Sequence, residues 1–129
     1  MARGRILVVD DDSDIVRLLS TRLRNDGYDV ISAAGGIAYM AQVRRHDPDL
    51  VVLDLGIPAG AGVLTLERLG DNPHWSRLPV VVLTGQSEPE TRARAMRAGA
   101  TALLEKTAGS QEFLETISRL VGGEQSYAP

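Results

Sequence analysis

Short apolar runs rich in β-branched residues alternate along this chain with segments whose apolar positions recur at helical spacing. Ile6-Leu7-Val8-Val9 comes first and is followed by a helical stretch over 13–26, with Ile15, Leu18, Leu19 and Leu23 assigned to one face. Asn25-Asp26-Gly27 stops that helix, and a strand from Tyr28 to Ala33 follows. A second helix runs from Gly36 to His46 and closes before Asp47-Pro48. The run 50–54 is a third strand, and Gly56 to Gly62 reads as an irregular loop because Pro58 and two glycines oppose regular structure. A helix over Val63–Gly70 precedes Asn72-Pro73. The fourth strand, Val80 to Thr84, is uniformly apolar until its last residue, as in a strand covered on both faces. Ser87 and Glu90 have the spacing of a capping box for a helix ending at Ala98-Gly99. A fifth strand over 101–105 and a helix over 110–121, with Phe113, Ile117, Leu120 and Val121 facing inward, complete the pattern.

Five strand-then-helix units predict a doubly wound α/β fold, because each right-handed crossover must pack back onto a parallel sheet. In such a sheet ligands bind beyond the carboxyl ends of the strands, near the point where strand order reverses. Five chemically complementary residues fall at or just past such ends: Asp10, Asp11, Asp54, Thr84 and Lys106. Carboxylates converging there repel by about 4 kcal/mol per pair at ~4 Å and an effective dielectric of ~20. A compensating cation is required. A divalent metal ion with oxygen ligands and the ammonium of Lys106, the chain's sole lysine, are the two candidates.

Composition narrows the picture further. A length of 129 residues with 43% hydrophobic side chains suits one domain, placed at 1–121, with 122–129 as a tail or linker. A net charge of −3, without a basic stripe, argues against direct binding of nucleic acid or acidic lipid. The absence of cysteine excludes disulfides and thiolate metal sites. No apolar stretch has the length of a signal peptide or a membrane span, so a cytoplasmic location is expected. His46 and His74 have no partners at metal-ligand spacing, and Arg92, Arg94 and Arg97 read as a solvated helix face. Asp12 reads as the cap of the first helix.

Four segments in this order resemble the receiver domain of two-component response regulators, of the chemotaxis-regulator type: ILVVDDD at 6–12, DLGIPAGAG at 54–62, VVVLTG at 80–85 and AGATALLEK at 98–106. The resemblance covers residues 5–121 and implies a flavodoxin-like (βα)5 fold with strand order 2-1-3-4-5. It implies that Asp54 is the phosphoacceptor, taking a phosphoryl group from a kinase histidine. It further implies that Mg²⁺ is bound directly by Asp11 and Asp54, by the Gly56 carbonyl, and through water by Asp10. Thr84 and Lys106 would hold the acquired phosphoryl group, and Gly85 would leave the phosphorus approachable. The implied partners are a sensor histidine kinase or phosphotransfer protein upstream, and an effector protein or fused output domain downstream. A receiver is not an enzyme with a separate substrate; it assists only its own phosphorylation and dephosphorylation.

Three positions depart from the family pattern. Lys106 is followed by Thr107 where proline with a cis bond is usual, and a cis bond before a non-proline costs about 2.5–4 kcal/mol. Leu103 occupies the position of a switching tyrosine or phenylalanine, and Ala61 stands where a polar residue is common. The first two leave open a receiver-like interaction module that is never phosphorylated. A haloacid dehalogenase-type phosphohydrolase shares the Asp, Thr, Lys and Mg²⁺ chemistry, but it needs an acidic pair after its lysine, and no aspartate follows Asp71.

Overall fold

The computed structural model describes residues 2–33, 37–54, 61–73, 75–85, 89–106 and 109–122. The elements alternate without exception: β1 (Arg5–Val9), α1 (Ser13–Asn25), β2 (Asp29–Ala33), α2 (Ile37–His46), β3 (Leu50–Asp54), α3 (Ala61–Gly70), β4 (Val80–Thr84), α4 (Pro89–Ala98), β5 (Ala102–Glu105) and α5 (Ser110–Val121). All strand pairs are parallel, and the sheet order is β2-β1-β3-β4-β5, as expected. Register is fixed by runs such as Leu7 opposite Val51 and Leu53 opposite Val82.

Period-two alternation divides the sheet's side chains between two cores. Ile6, Val8, Leu50, Val52, Val81 and Leu83 pack with Leu19 and Leu23 of α1 and with Phe113, Ile117 and Leu120 of α5. Leu7, Val9, Val51, Leu53, Val80 and Val82 pack on the other face with Val43 of α2, Leu66 and Leu69 of α3, and Ala95 of α4. Trp75, in the turn before β4, closes that second core at the amino-terminal end of the sheet, with the Arg44 guanidinium 6.0 Å from its ring. The strands of the middle of the sheet are continuously buried, which is why they read as unbroken apolar runs rather than alternating ones.

Two expectations need correction. Leu18 is 46% exposed, and its place on the inner face of α1 is taken by Ser20, which is buried beside Leu19 and Leu23. At 100° per residue the face centred on Leu19 and Leu23 includes position 20 and turns position 18 outward. Helix α3 begins at Ala61, two residues before the expected start, so Gly62 lies in its first turn. The first amides of a helix have no intrahelical acceptor, so a glycine there costs less than in the interior. Helix α4 opens at Pro89, where a missing N–H is harmless. Asp47 holds φ of 47° where α2 ends, its amide donating to the Val43 carbonyl, before buried Pro48 leads into β3. The expected loop 56–60, the cap Ser87, His74, Thr107 and the tail beyond Gly122 lie outside the described residues.

Candidate functional site

The site is assembled at the carboxyl edge of β1, β3, β4 and β5. Strand β1 delivers Asp10, whose amide continues the sheet by donating to the Ala33 carbonyl at 3.2 Å. The chain then turns into α1. Asp12 caps that helix, its Oδ1 accepting from the amides of Asp14 at 3.0 Å and Ile15 at 3.4 Å, while Asp10 Oδ1 accepts from the Asp12 amide at 3.0 Å. This double turn leaves Asp10 buried and sets Asp11, between them, out in solvent. Asp54 is the last residue of β3 and is 3% exposed.

Carboxylate oxygens of Asp10, Asp11 and Asp54 all lie within 4.8 Å of one another. The two acids on β1 and the acid on β3 are neighbours because those strands pair directly, Val9 lying opposite Leu53. Lys106, one residue past β5, reaches across β4 to this cluster: its Nζ donates to Asp54 Oδ2 at 2.8 Å and stands 4.0 Å from Asp10 Oδ2. Its amide is fixed by a 2.9 Å bond to the Thr84 carbonyl. Thr84 ends β4 buried at 4% exposure, and Gly85 follows at the surface; a Cβ at Gly85 would lie 3.8 Å from Lys106 Cδ, an ordinary contact with the lysine stem.

The electrostatics show a site short of positive charge. Burial pushes the Asp10 carboxyl up to about 6 from 3.8; the Asp12 amide works against this, and the Asp54 charge adds to it. Burial by itself would lower the Lys106 ammonium, but the hydrogen bond and charge of Asp54, with Asp10 and Asp12 behind it, hold it above the ordinary lysine value. One ammonium therefore faces three acids. Among the described residues Asp10 Oδ2 is buried and has no hydrogen-bond partner, the state of an oxygen whose natural neighbour is a cation. Three clustered carboxylates and an orphaned oxygen could hold a metal ion, and an all-oxygen donor set suits a hard divalent cation.

A model of the response regulator receiver domain matches residues 6–118. The chain belongs to that family. Among curated relatives, this receiver domain is 35% identical over 116 residues to the transcriptional regulatory protein KdpE of Mycobacterium tuberculosis, covering 90% of the chain and 50% of the relative. It is 37% identical over 108 residues to the KDP operon transcriptional regulatory protein KdpE of Escherichia coli, covering 84% and 47%. The chain thus spans about half the length of these curated relatives. Among solved structures, it resembles a CheY-like response regulator receiver domain protein from Methanospirillum hungatei, with a TM-score of 0.85 at 26% identity over 96% of this chain and 98% of the other. The chemotaxis protein CheY4 of Vibrio cholerae gives a TM-score of 0.84 at 28% identity, covering 93% and 98%.

Of the residues singled out in the sequence, Asp10, Asp11, Asp54, Thr84, Gly85 and Lys106 meet at this edge of the receiver domain. Gly56 and Thr107 lie outside the described residues. Leu103 is half-buried on β5 and packs against the core beneath α2, α3 and α4. Arg92 is 40% exposed on α4, with its Nη1 3.8 Å from Glu105 Oε1 at the end of β5, a solvated pair. No helix among the described residues is long and apolar enough to cross a membrane.

Proposed function

We propose that this receiver domain is the phosphoacceptor of a two-component system, with Asp54 as the acceptor carboxylate. The observation that carries the reading is the meeting of Asp10, Asp11 and Asp54 from two adjacent strands, with the one lysine donating to Asp54 at 2.8 Å. An oxygen of Asp54 attacks the phosphorus of a kinase phosphohistidine, forming the O–P bond as the N–P bond breaks and the electron pair returns to the imidazole. Phosphoryl transfer of this kind depends on in-line placement and charge neutralisation more than on covalent assistance. Asp11 and Asp54 would hold Mg²⁺ directly, with the Gly56 carbonyl as a further ligand and Asp10 acting through water. When bound, Mg²⁺ supplies positive charge to the oxygens of the transferring group. Lys106 exchanges its bond to Asp54 for one to the phosphoryl oxygens, and Thr84, at the end of the adjacent strand, donates its hydroxyl to them. Gly85 keeps the approach clear of a side chain.

The acyl phosphate carries about 1.5–2 negative charges where the Asp54 carboxylate carried one, and it projects them on three oxygens further into the site, which draws Thr84 and Lys106 inward and shifts the loops they begin. With Leu103 in place of an aromatic ring, that shift is expressed through backbone and helix movement. The receiver occupies residues 1–121, with 122–129 as tail or linker. It works in the cytoplasm with a sensor kinase or phosphotransfer protein, and acts through an effector protein or a fused output domain. It performs no turnover beyond its own phosphorylation and dephosphorylation.

Incubation with Mg²⁺ and a small acyl phosphate donor tests the reading. Wild-type protein gains one hydroxylamine-sensitive phosphoryl group and Asp54→Asn gains none. Equal labelling of both proteins removes Asp54 from the role, and labelling of neither supports a module that works without phosphorylation.

A further inference from the structure

The pole of the molecule opposite the carboxylates carries a second polar cluster, built by Arg3. Its Nη1 donates to the Asp26 carbonyl at 3.1 Å and to Asp26 Oδ2 at 2.9 Å, while its Nη2 donates to Ser118 Oγ at 2.7 Å. The same guanidinium lies 4.8 Å from the centroid of the Tyr28 ring. One side chain therefore ties together the turn after α1, the residue just before β2, and the last turn of α5. The seat is shaped for it. Gly27 has φ of +97° and a Cβ there would come 3.1 Å from Arg3 Cδ; a Cβ on Gly4 would come 3.1 Å from Val121 Cγ1.

We propose that Arg3 is a releasable latch: closed, it fastens the carboxyl-terminal turns of α5 to the α1–β2 corner, and open, it frees those turns while the sheet stays intact. The argument is one of balance. The ion pair is exposed, with side chains 43% and 36% accessible, so solvent and salt weaken it. The Tyr28 side chain beneath the guanidinium is buried and shares Ser118 with it, so the packing under the latch persists when the guanidinium leaves. Beneath the latch, the backbone bonds from the Arg3 amide to the Gly27 carbonyl and from the Asp29 amide to the Gly4 carbonyl do not depend on the guanidinium. Opening thus costs local contacts only. Because α5 begins four residues after Lys106, the latch determines whether the far end of that helix moves with the domain or apart from it.

Residue-resolved amide exchange on the full chain tests this. Arg3→Met retains the stem over Tyr28 and loses the donors; exchange at 118–122 rises about tenfold, with amides of β1 and β3 unchanged. Ser118→Ala gives the same local rise, and the double variant is no faster than Arg3→Met because one interaction is removed twice. Salt near 1 M, where the screening length is about 3 Å, speeds exchange at 118–122 in wild type and leaves Arg3→Met unaffected. Unchanged rates at 118–122 in both single variants overturn the latch. So does acceleration spread equally through β1 and β3, which marks Arg3 as general support of the fold.

Discussion

At the scale of single residues, the decisive group is Asp10, a carboxyl that is more costly ionised than neutral in the metal-free fold. Its folded value of about 6 lies above the unfolded 3.8, so the folded chain binds the proton more tightly. Its contribution to stability is complete below pH 4 and is lost as pH rises through 6. Thermal melts of metal-free protein between pH 4 and 7 will show wild type losing stability relative to Asp10→Asn across that window. At pH 7 the variant will be the more stable by on the order of 2 kcal/mol. Parallel curves for the two proteins would show that Asp10 titrates normally. Lys106 is the complementary case. Lys106→Ala leaves Asp54 without its 2.8 Å partner and weakens donor-dependent phosphorylation while the circular dichroism of the fold is retained. Unimpaired phosphorylation in that variant would make the ion pair incidental.

At the scale of elements, the helices show what a linear pattern conveys and what it leaves out. Leu23 was legible as core because it recurs at i+4 from Leu19, and both are buried. The i+3 spacing of Leu18 from Ile15 points to the same face, yet the adjoining strands select the arc through 16, 19, 20 and 23, and hydrophobicity alone does not choose between overlapping arcs. The two leucines are therefore unequal: Leu23→Ala costs about 2–5 kcal/mol, whereas Leu18→Ala stays within about 0.5 kcal/mol. Urea denaturation of the two variants measures the difference, and equal losses would place Leu18 back in the core. The start of α3 departs from its pattern for a related reason. Glycine and proline signal the end of regularity over Gly56–Gly62, but a helix tolerates glycine in its first turn, so the breaker signal marks the neighbourhood of a boundary and not the boundary itself.

At the scale of the whole molecule, strand order was the expectation with the longest reach. Parallel pairing of β1 with both β2 and β3 brings acids forty-four residues apart in sequence, Asp10 and Asp54, to one edge. The residue types at the strand ends made that edge legible; the resemblance supplied the order that joins them. The polar chemistry of the other pole was not legible, because Arg3, Asp26, Tyr28 and Ser118 have no common motif and meet only through the fold. Crowded acid at one edge also predicts a ligand effect on the entire fold. At one hundred times its dissociation constant, Mg²⁺ stabilises the folded state by roughly 2.7 kcal/mol, seen as a raised melting temperature that chelation reverses. Asp11→Ala, which removes an exposed carboxylate and no core contact, will lose most of that rise. An undiminished rise would place the ion elsewhere.

The position of Trp75 has a practical consequence of its own. As the chain's sole indole, it dominates the ultraviolet emission, yet it sits in the turn that leads into β4, a full strand of five residues, about 16 Å, from the acidic edge. Its glow therefore follows cooperative melting of the α2–α4 core and stays dark to chemistry at Asp54, so an investigator titrating activators by intrinsic emission would be watching the wrong end of the molecule.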